Sequence, residues 1–105
     1  MDDGSEISID MTTDERSVMM DEPDVAGHIL SAAARATLLS AAPHPGGIEA
    51  WWCTCSIQVT RELLAWAEAG GARWTGLDPV KSAVFSRAAR QVRFALWKVG
   101  AGPAP

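Results

Sequence analysis

The longest stretch without a turn residue, residues 48–69, decides which fold classes are open to this chain. Gly46 and Gly47 precede it, Gly70 and Gly71 follow it, and no glycine or proline lies within it. Its second half, VTRELLAWAEA, has the apolar spacing of an amphipathic helix. Its first half, WWCTCSIQ, fits two templates. It is either a strand rich in aromatic and β-branched residues or the beginning of the same helix.

We predict a single helix over 48–69, because no turn residue divides the stretch and a strand would need a partner strand. The only candidate partner is SEISIDM near the N-terminus, where Ile7, Ile9 and Met11 alternate with polar residues as a weak strand signal. The alternative is a strand at about 50–58 followed by a helix.

Two further segments have helical patterns. Residues 79–98 follow Asp78, a good N-cap, and begin with Pro79, which is favoured in a first helical turn. Residues 23–42 are rich in alanine and end before PHPGG, which a helix cannot continue through. The predicted fold is an all-α three-helix bundle with helices at about 23–42, 48–69 and 79–98. An α+β fold with the strand at about 50–58 is the alternative.

Charge divides the chain into two parts. Residues 1–24 hold nine acids and one base, a net charge of −8, whereas the remainder carries +4. We predict that residues 1–22 form a disordered acidic arm, because they bury too little apolar surface to offset their ordering entropy. Residues 23–99 then form the single helical domain, and residues 100–105 a frayed tail. Since no signal peptide or membrane-spanning run is found, a cytoplasmic location is expected.

Cys53 and Cys55 raise the question of a metal site. On a helix, residues two apart point about 200° apart and cannot hold one ion, whereas on a strand they share a face. Zinc takes about four ligands, and the only histidines, His28 and His44, add no characteristic spacing. We therefore expect packed core thiols, no metal and no cofactor.

The last helix carries a second, basic–aromatic face made of Arg87, Arg90, Arg93, Phe94 and Trp97. The arginines recur every three residues, and Arg90, Phe94 and Trp97 follow the i, i+4, i+7 spacing of helical neighbours. Arginines and aromatic residues are enriched in the hot spots of protein interfaces. The five side chains are our predicted partner contacts.

Five tryptophans are too many to hide easily among three short helices. Some are expected in an exposed apolar patch, which usually marks an interface. Trp51 or Trp52 would form a second contact patch, and self-association through the central helix is one expected outcome.

Function is predicted largely by exclusion. No nucleophile elbow, paired acid and base, or phosphate-binding glycine motif is present. We expect a non-enzymatic protein that binds another protein as a regulator, inhibitor or adaptor, using the basic–aromatic face and the acidic arm. Small proteins of this kind are frequent in phages and mobile elements, which is an analogy alone. The alternative is a nucleic-acid-binding accessory protein that uses the same basic helix. The acidic pI, near 5.0, argues against it.

Overall fold

The computed structural model describes residues 6–22, 24–25, 27–46 and 50–105. The elements, in chain order, are β1 (Glu6–Thr12), α1 (Thr13–Asp21), β2 (Asp24–Val25), β3 (His28–Ile29), α2 (Ala32–Leu39), β4 (Ala42–Pro43), β5 (Ala50–Ser56), α3 (Ile57–Trp74) and α4 (Pro79–Lys98). Three strands form an antiparallel sheet in the order β1–β5–β4, and β2 pairs antiparallel with β3. The prediction of an all-α three-helix bundle is therefore wrong.

The prediction of a disordered arm is wrong for the described part of residues 1–22. β1 pairs with β5 along its whole length, and α1 follows it directly. The buried side chains of β1 are Ile7, Ile9 and Met11, whereas the residues between them face solvent. β1 packs onto the core because its apolar side chains all lie on one face of the strand. Residues 1–5 lie outside the described residues.

The prediction of one helix over 48–69 is also wrong, and its first two positions lie outside the described residues. β5 falls within the 50–58 range of the alternative, and α3 begins immediately after it. Ser56 separates the two, since its hydroxyl accepts a hydrogen bond from the Val59 N–H at 3.1 Å as the N-cap of α3. A capping side chain therefore makes the break for which a glycine or proline was expected.

The helix predicted at 23–42 is much shorter in the structure. α2 is preceded by the β2–β3 hairpin, where Gly27 has a φ of +85° that favours glycine. Ser31 begins α2, because its hydroxyl accepts from the Ala34 N–H at 3.1 Å. The same hydroxyl donates to Glu62 Oε1 of α3 at 2.9 Å. The start of α2 is thus tied to α3.

α4 occupies the range of the helix predicted at 79–98. The Asp78 side chain caps it by accepting a hydrogen bond from the Lys81 N–H at 3.0 Å. α3 and α4 pack against each other, and the buried face of the sheet joins them in one core. At the centre, the rings of Trp66 and Phe85 meet edge to face with centroids 5.0 Å apart.

Candidate functional site

A groove of about 790 Å³ runs between β1 and α4. β1 forms one wall along Glu6–Asp10, and α4 forms the other, chiefly through Arg90, Phe94 and Lys98. Among the described residues, β1 is an edge strand of its sheet. The groove is therefore bounded by strand main chain on one side and by basic and aromatic side chains on the other.

Two aromatic side chains lie on the exposed side of α4. The ring centroids of Phe94 and Trp97 are 5.6 Å apart, with an angle of 39° between the planes. The two residues are 46% and 45% exposed. Lys98 Nζ lies 5.4 Å from the Phe94 centroid, within the range of a cation–π contact. Large aromatic residues held together in solvent are typical of a contact surface.

The three arginines of the basic–aromatic face have different surroundings. Arg93 Nη1 donates to Glu68 Oε2 of α3 at 2.8 Å, and Arg87 Nε lies 3.4 Å from Glu15 Oε2 of α1. Arg90 has no ion pair or hydrogen bond with the part of the chain that the structure describes. Of the three charges, that of Arg90 is the one left uncompensated among the described residues.

Glu15, in the first turn of α1, is fully buried, with 0% exposure. Its Oε1 accepts from the Thr12 N–H at 3.0 Å, and its own N–H donates to Thr12 Oγ1 at 3.1 Å, a capping box. Gln91 of α4, with its amide nitrogen turned toward these acceptors, donates to Glu15 Oε1 at 3.1 Å and to the Asp10 carbonyl. Together with Arg87, these contacts fix the spacing of the two groove walls.

Glu22, a second acid, forms hydrogen bonds at the C-terminal end of α1. The Glu22 carbonyl accepts from Trp66 Nε1 at 2.8 Å. Its carboxylate accepts from Trp74 Nε1 at 3.1 Å and from Lys81 Nζ at 2.5 Å. Lys81 Nζ also lies 4.2 Å from the Trp74 ring centroid. Two acids of the predicted arm therefore fasten α1 to α3 and α4.

Trp51 and Trp52, either of which was predicted to form a second patch, lie outside the groove lining. Trp51 Nε1 donates to Thr13 Oγ1 at 3.0 Å, and the Arg16 guanidinium stacks 4.3 Å from the Trp51 centroid. Trp52 is 37% exposed and is paired with Asp10 of β1. As neighbours on a strand, the two tryptophans point to opposite faces of the sheet and do not form one patch.

Because β5 is a strand, Cys53 and Cys55 share its buried face, opposite Ile9 and Ile7 of β1. Burial raises the pKa of the Cys53 thiol to about 11, and it also raises the pKa of Cys55. Cys55 Sγ lies 3.0 Å from Thr60 Oγ1. Both thiols are therefore protonated at neutral pH and poor nucleophiles. In the described ranges, no cluster of three or more His, Cys, Asp or Glu side chains is placed to hold a metal ion.

The structure brings only some of the predicted contact residues together. Arg90, Arg93 and Phe94 line the groove, and Trp97 stacks beside Phe94. Arg87 instead contacts Glu15 of α1. The sequence pattern did not predict the strand wall of the groove or the contacts of Gln91 on α4. The alternation in SEISIDM was the available signal for that wall, and it was outweighed by the acidic composition around it.

Similarity to known proteins adds no assignment. Comparisons of the chain with protein-family models, curated proteins and solved structures gave no match. No helix in the described ranges is both long and apolar enough to cross a membrane. A functional assignment therefore depends on the chemistry of the groove.

Proposed function

We propose that this protein is a non-enzymatic, cytoplasmic protein-binding regulator, inhibitor or adaptor, and that it binds its partner in the groove between β1 and α4. One observation carries the proposal. The Arg90 charge is uncompensated among the described residues and lies beside the half-exposed Phe94–Trp97 pair, at the rim of an open groove. An arginine next to clustered aromatic residues is the composition of an interface hot spot.

The charges of the groove favour a protein partner over nucleic acid. Glu6 and Asp10 lie on the strand wall, where they repel phosphates. Arg87 and Arg93 are already paired with carboxylates of this chain. Because these two arginine charges are already neutralised, they would release fewer counterions from a nucleic acid, and counterion release drives such binding. The acidic segment supports the proposal in another way, because β1 supplies one wall of the site.

Affinity purification with the full chain tests this function. Wild type should retain one protein in stoichiometric amount after nuclease treatment, and Phe94→Ala and Arg90→Glu should lose it. Matched controls are Val80→Ala, which removes another exposed apolar side chain of α4, and Arg35→Glu, which reverses an exposed charge on α2. Both controls should retain the partner.

Two outcomes would count against the proposal. Equal retention by all four variants would place the contact elsewhere on the protein. A salt-dependent shift of DNA or RNA by wild type that Arg90→Glu abolishes, with no retained protein, would favour the nucleic-acid-binding alternative.

A further inference from the structure

We infer that the groove receives an extended peptide that joins the sheet beside β1 as a fourth strand, with basic residues at one set of alternate positions and acidic or aromatic residues at the other. This inference rests on the proposed protein-binding function and states the form and chemistry of the bound segment. Peptides commonly bind by adding a strand to an exposed sheet edge, where main-chain hydrogen bonds give affinity and alternate side chains give specificity.

Among the described residues, hydrogen bonds from side chains occupy the outer edge of β1 at its C-terminal end. The Thr12 N–H donates to Glu15, and the Asp10 carbonyl accepts from Gln91, so both groups point away from β5. Main-chain groups of alternate residues in an antiparallel ladder point to the same side. The N–H and C=O of Ser8 therefore point outward as well, and Ser8 lines the groove.

The helix wall selects the side chains on one face of the added strand. Arg90 and Lys98 line this wall, and neither forms an ion pair with a described residue. Phe94 lies in the same wall and is half exposed. Side chains that point from the added strand toward α4 should therefore be acidic or aromatic.

The other face of the added strand meets the opposite charge. Glu6, Ser8 and Asp10 project from the outer face of β1, opposite its buried residues. Asp10 Oδ1 already has His44 Nε2 at 4.0 Å, whereas Glu6 has no ion pair with a described residue. Basic residues at the cross-strand positions would complement this face. The pattern is thus an alternation of basic residues with acidic or aromatic ones.

A second copy of the chain does not satisfy these charges. A two-fold pairing of β1 with itself brings the same patch from each copy together. Glu6 and Asp10 would approach their counterparts on one face, and Arg90 and Lys98 would approach theirs on the other. Like charges meet on both faces, and such contacts are destabilising. The partner must therefore carry a different sequence.

Synthetic peptides test the pattern directly. The probe is a set of peptides of about seven residues, the length of β1, with lysine at alternate positions and glutamate or phenylalanine between them. The matched control has the same composition with lysine, glutamate and phenylalanine each distributed over both sets of positions, so that neither face carries a single charge. At least one probe should bind the full chain in a fluorescence anisotropy titration, and its control should bind about tenfold more weakly or not at all.

Backbone substitutions separate strand addition from other ways of filling the groove. Ser8→Pro removes the outward N–H but leaves the ladder with β5 intact, since proline is tolerated on edge strands. It should weaken peptide binding about tenfold, the effect of one lost main-chain hydrogen bond, whereas Ser8→Thr should bind as wild type does. In wild type, hydrogen exchange of the Ser8 amide should slow about tenfold or more when peptide is bound.

N-methylated peptides keep the test decisive if Ser8→Pro does not fold. Methylating the peptide nitrogens of one alternate set should abolish binding, because those N–H groups face β1. Methylating the other set should leave binding intact. Which set of methylations abolishes binding also shows whether the peptide pairs parallel or antiparallel with β1.

Failure of this inference is distinguishable from failure of the proposed function. If Ser8→Pro and both methylated peptides bind normally but Phe94→Ala still loses the partner, the groove binds protein without strand addition and this inference is wrong. If no probe binds, or if the chain self-associates through β1 in sedimentation equilibrium, the inferred peptide chemistry is wrong. Loss of partner and peptide in Ser8→Pro, with both retained in Ser8→Thr, supports the inference.

Discussion

At the scale of single residues, Glu22 contributes more to the fold than its acidic neighbours. Its carboxylate accepts hydrogen bonds from Trp74 on α3 and from Lys81 on α4. Asp21, the preceding residue, is exposed and lies in the last turn of α1, where a negative charge opposes the helix dipole. Two adjacent acids of the same segment therefore have opposite expected effects on stability.

Replacing these two acids separately tests the difference. Glu22→Ala should lower the free energy of unfolding by about 1 to 2 kcal/mol, because it removes a charged hydrogen bond and leaves Trp74 Nε1 unpaired. Glu22→Gln should cost less, since its amide oxygen still accepts from Trp74. Asp21→Ala should be neutral or slightly stabilising. Urea unfolding followed by tryptophan fluorescence measures all three, and equal losses for Glu22→Ala and Asp21→Ala would contradict this role of Glu22.

The buried Cys53 thiol predicts an alkaline loss of stability. Its pKa is raised from 9.0 to about 11 in the folded chain, so the unfolded chain releases this proton first as the pH rises. Stability from the protonated thiol is complete below about pH 9 and is lost as the pH approaches 11, by an amount on the order of 2 kcal/mol. Urea unfolding under reducing conditions at several pH values, with Cys53→Ala as the reference, isolates this contribution. Parallel curves for the two proteins would contradict it.

At the scale of elements, the contact between α3 and α4 depends on a missing side chain. A Cβ placed on Gly70 would lie 2.2 Å from Cδ1 of the Phe85 ring, which is fully buried. Because the ring also packs against Trp66, it has little room to move. The glycine allows close approach of the helices despite its cost to helix formation.

Gly70→Ala should therefore destabilise the protein by about 1 to 3 kcal/mol, the usual cost of overpacking, even though alanine favours the helix itself. Gly46→Ala is the matched control, because a Cβ there meets nothing within 4 Å and its φ is not positive. Thermal unfolding by circular dichroism compares the two. A melting temperature for Gly70→Ala at or above that of Gly46→Ala would show that the helices separate without cost.

Local chemistry made some elements predictable and others not. The cap at Asp78 and the proline after it are local signals, and α4 has the expected bounds. β5 pairs with β1 along its whole length and with β4 on its other side, and no local pattern in WWCTC reports a partner 40 or more residues away. The same holds for the groove. Arg90, Phe94 and Trp97 were identifiable from helical spacing, whereas the strand wall required the pairing of β1.

At the scale of the whole molecule, the acidic segment is part of the core and not an appendage. Ile7, Ile9, Met11 and Met19 are each no more than 3% exposed. β1 covers the edge of β5, and α1 contacts α2 and α4. Most acids in the described part of this segment lie on the solvent side of a folded unit, namely Glu6, Asp10, Asp14, Asp21 and Asp24.

Deletion of residues 1–22 should consequently unfold the protein or leave it with an exposed apolar surface. Cys53 and Cys55 would no longer be covered by β1 and should react with a thiol reagent at neutral pH. In the full chain they should not react. A dye that fluoresces on apolar surfaces and the dispersion of the amide NMR spectrum provide independent readouts. A truncated protein with dispersed resonances and protected thiols would restore the interpretation of this segment as a free arm.

The pairing of β1 with β5 also has a consequence for synthesis. Ile7 pairs with Cys55, so the first strand leaves the ribosome well before its partner exists. At the usual rates of translation it waits roughly 2 to 10 seconds. An apolar strand in that position would be exposed to other nascent chains, but Glu6 and Asp10 alternate with the isoleucines, and a two-fold pairing of β1 with itself would bring these like charges together. The acidity that made this segment resemble a disordered tail therefore protects it until β5 is made.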